Sequence, residues 1–233
     1  MGVLLKLTNL CSIIMVIFVS ITASNNNDIQ KINNSIDFLF KPANYAYSIW
    51  GVIYVGLLIW VVISFLNREK GGNSYKEIGI WFSITMLLMI LWIVIFSKGY
   101  IVVSSLLMII LLVTIKKCYN QARDNTSNIV FSLYMAWVFV ALIVNIFVVF
   151  AYLDIERFLF IEELEWTIIA LLFGFIISII MLLKHKDIVF SLVVIWAYIS
   201  IAIEQRNESM IVTSVVIIVV LMILNMVFLK IRR

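Results

Sequence analysis

The chain has 233 residues, of which 64% are hydrophobic and 13% charged, with a formal net charge of +4. A soluble domain is roughly 45–50% apolar and about 25% charged. A soluble globule of this length cannot hide that much apolar surface, so a soluble enzyme, a nucleic-acid binder and a disordered chain are excluded. Two cysteines, Cys11 and Cys118, are too few for a disulfide scaffold. The single histidine, His185, has no Cys/His cluster around it, so no metal site is expected.

Stretches free of Asp, Glu, Lys and Arg run over 7–27, 42–67, 78–97, 99–115, 125–153, 166–183, 188–203 and 209–229. A bilayer core takes about 20 apolar residues per helix, within roughly 17–25. Seven runs reach that range and 188–203 falls just short. Backbone in hydrocarbon must satisfy its own hydrogen bonds, which leaves helices or a closed barrel. Barrel strands alternate polar and apolar residues, whereas 101–113 and 211–224 do not alternate. The expected fold is all-α, a polytopic transmembrane bundle of about eight helices in one domain, 1–233.

The first run carries Lys6 ahead of its apolar core, but it is long for a signal peptide and no small-x-small cleavage site follows. It reads as a span. The polar, Asn-rich connection 24–41 reads as a cap, a lid or a plain tether. Pro42 stands at the start of the second helix, where a missing N–H is harmless. Tight turns are expected at 97–100 and 184–187, with His185 a surface residue in the second. The segment 154–165 collects Asp154, Glu156, Glu162, Glu163 and Glu165. The sixth run carries Ala170, Gly174 and Ser178 at four-residue spacing, a small-xxx-small face suited to close helix contact. That face serves internal packing, the favoured reading, or a homodimer.

If every run spans, the loops alternate sides. One side then holds twelve basic residues and the other five: Lys31, Lys41, Lys98, Arg157 and Arg206. The positive-inside rule puts both termini in the cytoplasm of a multi-pass cell-membrane protein. The basic residues act as topology signals and contacts to membrane lipid, not as a nucleic-acid surface.

The runs leave no charge stranded between two half-length runs, His185 lies outside them, and no span pairs a nucleophile with a base. Proton relays and ion paths need such groups, so catalysis by acid–base or nucleophilic chemistry is not expected. No internal repeat is visible, which counts against an inverted-repeat transporter. What the spans carry instead is aromatic. Tyr47, Trp50 and Tyr54 share a face of the second helix; Trp81, Thr85, Leu88 and Trp92 share one of the third; Tyr134, Trp137, Ala141, Asn145 and Val148 share one of the fifth. Such rings serve as packing or as interfacial belts. Alternatively, three stripes, one with an amide deep in its span, line a pocket for a flat apolar ligand.

The segment 42–54, Pro-Ala-Asn-Tyr-Ala-Tyr-Ser-Ile-Trp-Gly-Val-Ile-Tyr, resembles the TspO/MBR family, the tryptophan-rich sensory proteins and translocator-protein relatives, and in particular its longer bacterial members. Tyr47 stands where that pattern has Phe. The segment 131–145 is similar to the family's fifth helix, with Tyr134-x-x-Trp137 and Ala141-x-x-x-Asn145. Leu91-Trp92 matches the family's third-helix Asn-x-x-Trp region without its Asn. The resemblance implies a five-helix core over 1–153, with three additional helices over 166–230 that the short members lack. It further implies a binder or sensor of a small apolar ligand, such as the porphyrin protoporphyrin IX, with Trp50, Tyr54, Trp92, Tyr134, Trp137, Ala141 and Asn145 as ligand-binding residues. The same resemblance allows light-dependent porphyrin breakdown. A small-molecule transporter or exporter, or a structural membrane subunit, are the alternative readings.

Overall fold

The computed structural model describes residues 2–25, 36–66, 72–155 and 157–231. Eight α-helices are present among these residues: α1 (Val3–Asn25), α2 (Ile49–Leu66), α3 (Gly72–Ser97), α4 (Ile101–Gln121), α5 (Asn125–Tyr152), α6 (Glu163–His185), α7 (Ile188–Glu204) and α8 (Ser209–Ile231). The fold is all-α and helical, as the uncharged runs require. Seven of the helices are long and apolar enough to cross a membrane. α7, with 17 residues, is the short one, as expected from its short run. At 1.5 Å per residue it extends for about 26 Å. A 3-10 turn, Asn44–Ser48, leads into α2. Most of the connection 24–41, together with Lys31, Arg68, Lys70, Arg232 and Arg233, lies outside the described residues.

Several helices run past the charges that bound their apolar runs. α4 continues through Lys116 and Lys117 to Gln121, because a lysine stem can stay on an apolar surface while its ammonium reaches the interface. There Lys117 places its ammonium 4.5 Å from the ring centre of Trp81. Tyr100 and Ile101 follow Gly99, whose φ of +80° closes the tight α3–α4 turn. Asp187 caps α7 by accepting the Phe190 N–H at 3.0 Å. His185 ends α6 and is exposed.

The chain forms two compact units. The first holds residues 1–36 and 49–138. In it α1 packs on α2 and α3, and α3 packs on α4. Buried Asn9 of α1 accepts the Ser83 hydroxyl of α3 through its Oδ1 at 2.6 Å, which satisfies the carbonyl half of an amide in an apolar bundle, while its Nδ2 is buried without a partner. The first half of α5 completes this unit against α2, where Gly56 leaves room for Val130.

The second unit holds residues 37–48 and 139–233. In it α6, α7 and α8 pack on one another. The small-residue face of α6 is used here. A side chain at Gly174 would overlap the hydroxyl of Tyr198, which crosses to donate to the Leu171 carbonyl at 2.6 Å. One turn on, the Ser178 hydroxyl meets that of Ser191 at 2.9 Å. The segment 37–48 is tied to this unit by Ala43 N–H to Ser200 O (3.1 Å), Gln205 Nε2 to Phe38 O (3.1 Å) and Trp196 Nε1 to Ala46 O (3.2 Å).

Between α5 and α6 the acidic segment folds into a β-hairpin, β1 (Arg157–Phe158) with β2 (Ile161–Glu162), in antiparallel register Arg157↔Glu162 and Phe158↔Ile161. Its two-residue turn is Leu159-Phe160, with φ of 54° and 65°. Left-handed backbone costs L-residues roughly 1–2 kcal/mol each. Such turns usually carry Asn-Gly or Asp-Gly, so the sequence gives no hairpin signal here.

Candidate functional site

The site is built on Trp50, in the first turn of α2. Its ring centre lies 5.9 Å from Tyr54 on the next turn, in a stacked pair. It lies 6.3 Å from Trp92 of α3. Tyr134 and Trp137 of α5 meet it edge-on, at 6.3 Å and 6.2 Å. Three helices thus converge on one indole. Edge-on and offset arrangements at 4.5–7 Å suit the ring quadrupoles and contribute about 0.5–1.5 kcal/mol per pair beyond area burial.

The convergence follows from helical spacing. Trp50 and Tyr54 are one turn apart on α2, and Tyr134 and Trp137 one turn apart on α5. Burial falls unevenly over the cluster. Tyr134 and Trp137 are each 1% exposed and Trp92 8%, whereas Trp50 and Tyr54 are half-buried. The Tyr54 hydroxyl is held by Ser20 of α1 at 2.7 Å. Two other polar atoms in the cluster, Trp92 Nε1 and Tyr134 Oη, are buried with no hydrogen-bond partner. Buried polar groups are normally paired, and each exception calls for an explanation. Two buried polar atoms without partners thus lie within one ring cluster.

The structure therefore brings together five of the seven residues expected at a ligand site. The other two, Ala141 and Asn145, stand farther along α5 and belong to the second unit. Asn145 is 4% exposed, in keeping with an amide turned away from lipid. Two stripe members stand apart from the cluster. Tyr47 falls in the 3-10 turn, where the α-helical three- and four-residue steps do not hold, and belongs to the second unit. Trp81 lies eleven residues from Trp92, about 16 Å along α3, and packs instead under Lys117.

Sequence reasoning missed two participants. Phe96 stacks on Trp92 at 5.5 Å, and its four-residue step from Trp92 is the signal that would have found it. Ser20 carries no such signal, since a lone hydroxyl in an apolar span can equally bond its own helix backbone. A separate cleft lies in the second unit, lined by Phe147, Phe150, Ala151, Ile155, Phe158, Glu163 and Trp166, with an empty volume of about 350 Å³ that includes open solvent.

A family model described as TSPO-like protein matches residues 3–228. No curated protein and no solved structure matches the chain. The family match begins in α1 and reaches into α8, well beyond the two motifs at 42–54 and 131–145. The three C-terminal helices are therefore part of the matched family architecture, and the chain, a multi-pass membrane protein, belongs to the TspO/MBR family of TSPO-like proteins.

Proposed function

We propose that the protein binds a small, flat, apolar ligand at the Trp50 ring cluster, and that a porphyrin is the ligand class. One observation carries this reading: aromatic rings from three helices meet at Trp50, and the cluster includes two buried polar atoms that lack hydrogen-bond partners. Ring faces offer stacking surface for a conjugated macrocycle, and Trp92 Nε1 and Tyr134 Oη are donors for its polar edge. Ala141 and Asn145, which belong to the second unit, are proposed as ligand contacts from the family resemblance alone. Binding or sensing needs no acid–base residues, in keeping with spans that carry aromatic groups in place of ionisable ones.

The test is quenching of tryptophan fluorescence by protoporphyrin IX in detergent. Trp137→Ala removes both a ring contact and buried area, so binding should weaken about tenfold or more, the equivalent of about 1.4 kcal/mol. Trp166→Ala should change it little, because Trp166 belongs to the hairpin base, where its indole donates to Phe158 O. Wild-type protein without saturable quenching, or both variants binding as wild type does, would sink the assignment.

The twelve-to-five division of basic residues supports cytoplasmic termini in the cell membrane. A reporter fused after Arg233 should read cytoplasmic and one inserted near Asn33 external. Equal signals from both sites would mean an odd number of spans or a cleaved first segment.

A further inference from the structure

The α5–α6 hairpin carries an unusual pair at its tip. Leu159 is 66% exposed and Phe160 100% exposed, and both hold left-handed φ angles of 54° and 65°. A two-residue turn of this kind favours Gly or Asn. This one presents two bulky apolar side chains that touch little of the protein.

The base of the hairpin, in contrast, is firmly held. Arg157 Nη2 donates to Glu162 Oε1 at 2.6 Å across the register. Phe158 packs between Phe150 of α5 at 5.2 Å and Trp166 of α6 at 5.8 Å. The Trp166 indole donates to Phe158 O at 3.0 Å. The tip is thus an exposed apolar point on a braced support.

We propose that this hairpin is an interfacial anchor whose Leu159 and Phe160 side chains enter the headgroup–acyl boundary of the leaflet where α5 ends and α6 begins. The hairpin joins two membrane helices, so the chain itself holds it at a bilayer surface. The helices that flank it also turn apolar side chains outward: Leu153 on one side and Ile169, Leu172 and Phe173 of α6 on the other are each more than two-fifths exposed. A second copy or a soluble partner has no such tether to hold it at the tip. Two short strands leave backbone groups without ladder partners, so the backbone stays outside hydrocarbon and only the tip side chains enter. Asp154, Glu162 and Glu165 are exposed around the base and Arg157 is paired. That rim suits zwitterionic lipid over anionic lipid.

The test uses the full chain with Cys11→Ser, Cys118→Ser and Phe160→Cys, spin-labelled at residue 160 and reconstituted in phosphatidylcholine vesicles. Glu162→Cys in the same background is the reference at the hairpin base. The label at 160 should be relaxed several-fold more by oxygen than by a water-soluble nickel chelate, with the opposite preference at 162. Adding phosphatidylglycerol should not increase the oxygen preference. Equal nickel access at the two positions would put the tip in water. Dipolar broadening between labels at 160 would seat it against a second copy, and protection from both relaxants would bury it in protein. Each of these three results overturns the anchor. If Phe160→Cys does not fold, Leu159→Cys reports the same boundary.

Discussion

Two tryptophans on α2, ten residues apart, sit in aromatic clusters of similar size and opposite completeness. Trp60 is fully buried, with Tyr75 stacked at 5.6 Å, Phe82 at 5.0 Å and Phe131 edge-on at 5.3 Å. Its indole N–H donates to Ser127 Oγ at 2.9 Å. That hydroxyl donates in turn to Asp124 Oδ2 at 2.6 Å, while Asp124 Oδ1 accepts the Ser127 N–H at 2.9 Å and caps the start of α5. Every polar group in this relay has a partner. Trp50 is half-buried, and its neighbours Trp92 and Tyr134 carry buried polar atoms without one. Ring content alone does not separate a structural cluster from a candidate binding cluster. Polar satisfaction distinguishes these two, because the Trp60 relay leaves no donor that a ligand could use.

That contrast predicts separable effects. Trp60→Ala should have the largest effect, a loss of about 3–5 kcal/mol as for other buried Trp truncations. It should appear as a lower melting temperature in detergent, with protoporphyrin IX affinity of the folded fraction unchanged. Loss of affinity in the folded fraction would join the two clusters into one functional unit and break the comparison.

Ser127→Ala comes next. It leaves the Trp60 N–H buried without its acceptor, at a cost of about 1–3 kcal/mol, and removes a hydroxyl that Asp124 accepts. Thermal melts should show a smaller fall than for Trp60→Ala, again with ligand affinity retained. A neutral result would mean that the relay contributes no net stability.

Tyr134→Phe should have the smallest effect on stability. It deletes a buried hydroxyl that has no partner, so stability should hold steady or rise by about 1 kcal/mol, read as an unchanged or higher melting temperature. If that hydroxyl serves the ligand, porphyrin binding should weaken a few-fold while the ring cluster persists. A fall in melting as large as that for Ser127→Ala would show the hydroxyl to be paired, and the distinction between the clusters would fail.

Much of this was legible in the residues. Trp50 with Tyr54, and Tyr134 with Trp137, occupy helical three- and four-residue steps, and each pair does share a face in the structure. Trp81 and Tyr47 followed the same spacing and went elsewhere, since periodicity fixes a face but not how far along the helix a neighbour stands. The cluster around Trp60 was invisible, because its members Tyr75, Phe82 and Phe131 come from helices whose pairing one sequence does not encode. The β-hairpin was missed for a local reason: Leu159-Phe160 lacks the Gly or Asn by which such turns are recognised.

By itself the sequence determined the membrane class, the all-α fold and the number of helices. Those follow from one term, the cost of leaving charges and unpaired backbone groups in hydrocarbon, which acts on each segment alone. The two motifs around Trp50 and Asn145 further identified the family. Tertiary structure decided what depends on which helices are neighbours. It completed the Trp60 relay through Ser127 and Asp124, supplied Ser20 to Tyr54, and left Trp92 Nε1 and Tyr134 Oη without partners. It set Gly174 beneath Tyr198. Within a membrane all helix faces are apolar, so hydrophobicity cannot choose among packings, and the choice falls to small-residue contacts, ring geometry and a few hydrogen bonds.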